Sequence, residues 1–462
     1  MSKVVYPYIP NSEPAVKEQM LKEIGIESVE DIFQEIPEHL RFKGKLNIPD
    51  PFLSEYELRR HVEGLLKKNI SCKDYLNFLG AGTWQHYVPS VCDTIISRDE
   101  FLTAYVGDAY GDHGKFQALF ETASMIGEIV GMEMVNTPTY DWANAIAISC
   151  RMAARMNGRK EILVAGTISP GRLSVVKNYC KPEIQVELID FDVDTGLMDL
   201  EDLEAKISDK TSAVYMENPS YLGFIEVQGE EIAKITHKAG AELIVGVDPS
   251  SLGILAPPSD YGADIVCGEF QPFGIHMQWG GGLAGFIATR DEKRYVAEYP
   301  SLLFGLTTTL AEGEYGFGEV FYERTSYASR EKGKDFIGTC AALYGIAAGV
   351  YMALIGPQGL KELGEGIMQR VQYAMGLLSQ IKGVKVPVIQ SPCFKEFVID
   401  FEGTGKTVQE INRELLSRQI FGGKDISQEF PVYGNSALYC ITEIHTKEDI
   451  KKLALALEEI LK

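Results

Sequence analysis

Two stretches of this chain hold side chains suited to chemistry. The first runs Tyr105-Val106-Gly107-Asp108-Ala109-Tyr110-Gly111-Asp112-His113-Gly114-Lys115. His113 has the side-chain chemistry of a general acid or base. Asp112 flanks it, and the nearby glycines let the backbone approach a ligand. The hydroxyls of Tyr105 and Tyr110 suit a carboxylate. The blander reading is a solvent-facing Gly-Asp turn, with tyrosines whose apolar bodies lie in an interface. The second stretch begins with Asp248-Pro249-Ser250, directly after the apolar run Glu242–Val247. A carboxylate there sits at the carboxyl end of a strand, where open α/β sheets bind their ligands. Another apolar run, Ala263–Gly268, leads to Gln271. No lysine stands between Lys238 and Lys293. This stretch therefore offers no primary amine for imine formation or proton relay.

Other constellations carry less. The eight cysteines, at 72, 92, 150, 180, 267, 340, 393 and 440, form no CxxC pair and have no zinc-finger spacing. Most have apolar neighbours, as in Ile265-Val266-Cys267, and are expected to be buried reduced thiols of a cytoplasmic protein. Gly280-Gly281-Gly282 lacks the strand–GxxxxGK[ST]–helix setting of a phosphate loop and reads as a turn. His276 and Trp279, just before it, are candidates to face a partner. Arg330-Glu331-Lys332 reads as a helix start, either an interface salt-bridge network or a solvated charged face. A formal charge of −21 on 462 residues excludes a nucleic-acid backbone as partner. There is no secretion signal, and no apolar run approaches the ~20 residues of a membrane span. Thr339–Ile355, the longest small-apolar stretch, reads as a buried helix.

The elements that position these residues follow from periodicity. Residues 1–77 read as an N-terminal helical arm. Ser12 is expected to cap a first helix that ends at Gly25, and Ser28 to open a short second one. Ser54 and Glu57 have capping-box spacing for a third. From residue 78 the pattern becomes α/β, with helices at Phe116–Val130, Tyr140–Met156, Leu200–Lys206 and Glu230–Lys238. Strands are expected at Glu161–Ala165, Gln185–Ile189, Ser212–Met216 and Glu242–Val247. Short apolar strands alternating with helices imply a mostly parallel sheet covered on both faces. Residues 78–332 form this large domain. Residues 333–462 read as a small α+β domain. Its helices are Gly338–Ile355, Gln358–Ile381, Val408–Ser417 and Lys447–Leu461, and its strands are Phe394–Phe401 and Ala437–Glu443.

A series of short motifs, in order, carries a resemblance. It begins with Tyr8-Ile9-Pro10, Asn77-Phe78-Leu79-Gly80-Ala81-Gly82, His86-Tyr87-Val88-Pro89 and Thr103-Ala104-Tyr105. It continues with Tyr140-Asp141, Val247-Asp248-Pro249 and Tyr261-Gly262-Ala263-Asp264-Ile265. Gly268-Glu269, Gln271-Pro272, Gly274-Ile275, Arg330-Glu331-Lys332, Gly422-Gly423 and Thr442-Glu443 complete it. Together they resemble the P-proteins of the glycine cleavage system over essentially the whole chain. Within that family the resemblance is to subunit 1 of the two-subunit glycine dehydrogenase (decarboxylating).

The resemblance implies an aminotransferase-like fold of the type I, pyridoxal-phosphate-dependent class. It implies that Gln271 stands at the Schiff-base lysine position as a relic. Asp248, the ancestral partner of the cofactor's pyridine nitrogen, then becomes a structural carboxylate that accepts backbone hydrogen bonds. A non-covalent ligand site there is the alternative. The covalent pyridoxal phosphate belongs to a lysine-bearing subunit 2. The pair, as an α2β2 assembly in the cytoplasm, acts as an oxidoreductase-class enzyme. It decarboxylates glycine and passes the aminomethyl group to the lipoyl arm of H-protein. Subunit 1 completes the partner's site, and Tyr105, Tyr110, Asp112 and His113 are its candidate contributions.

Residues 106–115 depart from the family's loop, which reads close to T-P-Y-Q-P-E-x-S-Q-G. Trp142 replaces a small residue, Asn144 a Thr, and Ser169 a His before Pro. These departures bear on the substrate more than on the fold. They leave open a paralogous decarboxylase subunit for another small amino acid. A non-catalytic interaction or regulatory protein of the same fold also stays open.

Overall fold

The structure, a computed structural model, describes residues 5–102, 113–181, 183–278, 282–338 and 340–462. It separates into two compact units, Met1–Ile70 and Ser71–Lys462. Local signals build the first. Helix Pro14–Ile24 starts on Glu13, whose carboxylate accepts from the Val16 amide at 3.0 Å. It stops at Gly25, with φ 75°. The cap expected at Ser12 is therefore corrected to Glu13. Pro14 favours the first helical position, where it needs no amide donor, and Ser12 Oγ instead accepts from the Tyr6 amide at 2.7 Å. Ser54 caps Glu55–Leu66. None of the described residues of this unit is buried. Tyr8 and Leu53 are almost fully exposed.

In the second unit a short strand, β1 (Leu76–Asn77), precedes a seven-stranded sheet. Its strands are β2 (Met134–Val135), β3 (Glu161–Ala165), β4 (Gln185–Ile189), β5 (Thr211–Glu217), β6 (Glu242–Val247), β7 (Ile265–Glu269) and β8 (Gly285–Thr289). Their order is β2-β8-β7-β6-β5-β3-β4. Strands β3 to β7 run parallel. β8 is antiparallel to β7, and β2 to β8. β8 was not anticipated from the sequence, because its run Gly285-Phe-Ile-Ala-Thr is short and follows glycines.

Side chains alternate across this sheet, as the strand period of two requires. Ile162, Val164, Tyr215 and Ile244 enter one core with helices Trp142–Asn157 and Pro170–Cys180. Leu163, Val214, Met216 and Val245 enter the other. Helices His113–Val130, Gly229–Lys238 and the first half of Ala342–Leu378 cover that face. The strand order reverses where β3 lies between β4 and β5, so the ligand crevice belongs beyond the carboxyl ends of these strands.

The two helices expected on either side of Gly356-Pro357 are present and follow one another directly within Ala342–Leu378. Gly356, at φ 60° and ψ −176°, breaks it just before Pro357. By length and composition it would cross a membrane. Here it lies in two cores, with Ala347 and Met352 in one and Ile367, Val371 and Leu378 in the other. A hairpin, β9 (Phe304–Thr308) with β10 (Tyr315–Glu319), was also missed. Gly305, Gly316 and Gly318 mask its strand pattern. Phe304 anchors it by stacking on Phe116, with centroids 4.4 Å apart.

The C-terminal part holds β11 (Glu396–Asp400), β12 (Ile420–Phe421), β13 (Lys424–Asp425) and β14 (Ser436–Cys440). Three of these form an antiparallel sheet in the order β11-β14-β13. Helices Val408–Ser417 and Lys447–Ile460, each opened by a capping box, pack on it. β12 pairs in parallel with β1. This pairing starts a strap, residues 76–88, that runs from the small sheet to the crevice of the large one.

Candidate functional site

The strap is fixed residue by residue. Phe78 accepts from the Cys440 amide at 2.9 Å. His445 donates from Nε2 to the Asn77 carbonyl at 2.8 Å, while its Nδ1 accepts from the Thr442 amide at 3.0 Å. Burial holds its pKa below the usual histidine value. The Ala81 amide donates to Glu396 Oε1 at 2.5 Å. Thr442 Oγ1 donates to the Gln85 carbonyl at 2.6 Å, and the Tyr87 amide to Glu443 Oε1 at 2.7 Å.

Gln271 holds the centre of the strap. Its Oε1 accepts from the Trp84 amide at 3.0 Å, and its Nε2 donates to the Trp84 carbonyl at 2.8 Å. A third bond, at 3.2 Å, reaches the Ile275 carbonyl. A side-chain amide can bond both backbone groups of one residue; a lysine, which only donates, cannot. Gln271 thus anchors the strap. Glu269, at the end of β7, supports the same turn. It accepts from the amides of Trp142 at 3.0 Å, Gln271 at 3.2 Å and Ala284 at 2.6 Å. Burial nevertheless pushes its pKa up to about 7.

Asp248 closes β6. Its Oδ1 accepts from the Ser250 amide at 3.1 Å and hydroxyl at 2.7 Å. Its Oδ2 pairs with Lys395 Nζ at 2.7 Å, both groups being buried. The same ammonium lies 2.8 Å from His86 Nε2 and 4.2 Å from the Trp84 ring centroid. His86 Nδ1 is 2.8 Å from Glu443 Oε2. Beside this chain, Arg172 pairs with Glu217 at 3.0 Å and stacks on the Trp142 ring at 3.6 Å. Burial pushes the Glu396 carboxyl up to about 7 against the lowering pull of the Ala81 amide and Lys395.

These groups wall one cavity beyond the carboxyl ends of β5 and β6. Trp84, Trp142, Arg172, Ser220, Asp248 and Lys395 contribute to its lining. The room left in it is about 10 Å³, space for roughly one water molecule. Trp142, noted as an unusual residue, fills volume that a small side chain would leave open. The Asn144 side-chain amide donates to the Tyr179 hydroxyl at 3.0 Å, and its backbone amide donates to Asp141 Oδ1 at 2.6 Å.

Comparison with known proteins decides the lineage. The glycine cleavage system P-protein family matches residues 6–457. The chain belongs to that family. The "probable glycine dehydrogenase (decarboxylating) subunit 1" of Staphylothermus marinus is 38% identical, with 99% of this chain and 98% of that protein covered. The protein of the same description from Pyrococcus abyssi is 39% identical, with 98% and 99% covered. The crystal structure of an inhibitor-bound glycine decarboxylase (P-protein) of the glycine cleavage system superposes with a TM-score of 0.85. It is 32% identical and covers 99% of this chain and 100% of that one. A NifS-like protein from Rickettsia africae, 15% identical with a TM-score of 0.63, shares the fold. The fold is the α/β fold of pyridoxal-phosphate-dependent, aminotransferase-like proteins.

The family's cofactor does not fit the residues of this chain's own crevice. Gln271, which the resemblance sets at the lysine position, is already committed to Trp84. The strand-end carboxylate is already neutralised by Lys395. The remaining space admits about one water rather than a substituted pyridine ring.

Of the site residues read from the sequence, Asp248 and Gln271 line or support this cavity. Tyr105, Tyr110 and Asp112 lie outside the described residues. His113 is the first residue of helix His113–Val130. Trp279 also lies outside them, while His276 Nε2 sits 3.0 Å from the Asp93 carboxylate. Arg330–Lys332 is one exposed 3-10 turn rather than a helix start. Sequence reading missed Lys395, Arg172 and Trp84. Nothing local marks Lys395, because its partner Asp248 is distant in sequence.

Proposed function

We propose that this chain is subunit 1 of a heteromeric, pyridoxal-phosphate-dependent glycine decarboxylase. The carrying observation is the crevice: it keeps the fold's strand-end carboxylate but is closed to the cofactor by Gln271, Trp84 and Lys395. Near-complete coverage of relatives named as subunit 1 supports the same reading. A lysine-bearing subunit 2 supplies the covalent pyridoxal phosphate. This chain supplies surface: Tyr105, Tyr110, Asp112 and His113 complete the partner's glycine pocket, next to the path of the lipoyl arm of H-protein. The organisation is an arm of residues 1–77, a large domain of 78–332 and a small domain of 333–462. A segment such as 5–70, with no buried residue, is suited to wrapping a neighbour, since its apolar side chains gain cover only on another surface. The assembly is α2β2 and cytoplasmic.

The departures at 106–115 and Trp142 favour a second reading, a paralogous subunit acting on another small amino acid. Co-expression with the lysine-bearing homologue separates the readings. Co-elution together with exchange of labelled CO2 into the glycine carboxylate supports the glycine enzyme. Co-elution with exchange only for another amino acid supports the paralogue. A stable homodimer that ignores the homologue contradicts both and fits a regulatory protein.

A further inference from the structure

The closed crevice has a resident of its own. Lys395 Nζ lies 2.7 Å from Asp248 Oδ2 and 2.8 Å from His86 Nε2. Its remaining side faces aromatic rings, with Trp84 at 4.2 Å and Phe394 at 5.8 Å to the centroids. A carboxylate at one end and aromatic faces along the side are what organic ammonium ions select. The lysine main chain is pinned on both sides: the Phe394 amide donates to Gly223 O at 3.0 Å, and the Ile441 amide to Lys395 O at 2.8 Å. The side chain therefore enters the cavity from a fixed point. Trp84 is equally fixed, by the two-way bond to Gln271. A buried carboxylate left without a cation would be costly, and in this fold the cation is intramolecular.

We propose that Lys395 is the built-in ligand of this cavity, an intramolecular ammonium held on Asp248 in place of a bound cofactor ring. Shortening that side chain turns the cavity into a site for small organic cations of the primary alkylammonium class. The inference concerns this chain's own crevice and does not depend on any partner; its failure leaves the subunit reading intact.

The test is chemical rescue in the full-length chain. Thermal melts of wild type and Lys395→Ala are recorded with propylammonium chloride or with sodium chloride at equal ionic strength. Lys395→Ala is expected to melt several degrees lower and to regain at least half of that loss in propylammonium, saturably. Wild type and Lys395→Ala in the Asp248→Asn background should show no such gain. An undiminished melting temperature in Lys395→Ala, equal recovery in sodium, or recovery that persists without Asp248 overturns the proposal. If Lys395→Ala does not fold, the paired variant Asp248→Asn/Lys395→Met decides. It removes both charges and keeps the volume, so it should fold and melt near the wild type, whereas Lys395→Met alone should not. A paired variant no better than Lys395→Met contradicts the proposal.

Discussion

Gln271 and Trp84 are joined in both directions, the glutamine carbonyl accepting the Trp84 amide at 3.0 Å and its amide donating to the Trp84 carbonyl at 2.8 Å. The Trp84 backbone is thereby fixed, and its side chain lines the cavity beyond β5 and β6.

It follows that restoring the amine does not restore the cofactor. Gln271→Lys leaves the Trp84 amide without its acceptor, at a cost of about 1–3 kcal/mol. Trp84 and Lys395 still crowd the crevice. After incubation with pyridoxal phosphate and borohydride reduction, intact-mass spectrometry of Gln271→Lys should show no pyridoxyl adduct at residue 271. A stoichiometric adduct there would show the cavity to be open.

Glu396 makes stability depend on pH. Its carboxyl ordinarily titrates near 4.5 and in the fold near 7. Between those values the folded chain keeps a proton that the unfolded chain has lost, so stability falls as pH rises from about 4.5 to about 7 and is level above. Glu269 acts in the same direction. Glu396→Gln keeps the acceptor for Ala81 and cannot ionise. At pH 8 it should be more stable than wild type by on the order of 3 kcal/mol or less, with the difference vanishing near pH 4.5. Urea melts across this range measure it, and a gain that grows at low pH would reverse the assignment.

Gly223 sets how closely the small sheet approaches the crevice. It has φ +90°, and an added Cβ would stand 1.9 Å from the Glu396 carbonyl oxygen. Gly223→Ala should lose more than about 2 kcal/mol, through left-handed strain and the clash together. Equilibrium unfolding tests this; a change below about 0.5 kcal/mol would mean that β11 moves freely.

Under the proposed function, His113 serves the partner's pocket. In the assembled complex, His113→Ala should lower amino-acid–CO2 exchange by about 100-fold or more, the range of a lost general acid or base, with co-elution unchanged. Full exchange activity would leave His113 as the first residue of its helix with no part in the reaction.

The parallel strands were legible because Ile162–Ala165 and Leu243–Val247 are continuous apolar runs between turn residues, the signature of strands buried on both faces. Asp248 was legible as a strand-end carboxylate, and Gln271 through the resemblance and the lysine-free stretch around it. The closure of the site was not. Lys395, Trp84 and Arg172 reach it from three distant segments, and a buried ion pair leaves no periodic trace. The hairpin Phe304–Glu319 escaped for a different reason: its glycines suppress the strand pattern, and it depends on Phe116 for its anchor.

The central claim is that this chain works as the lysine-less half of a pair. It is tested most directly by mixing the chain with its lysine-bearing homologue and pyridoxal phosphate, reducing with borohydride, and weighing each polypeptide. The account predicts that the two co-elute and that the pyridoxyl mass appears on the homologue alone. A pyridoxyl adduct at a single lysine of this chain, formed without the homologue, would contradict it.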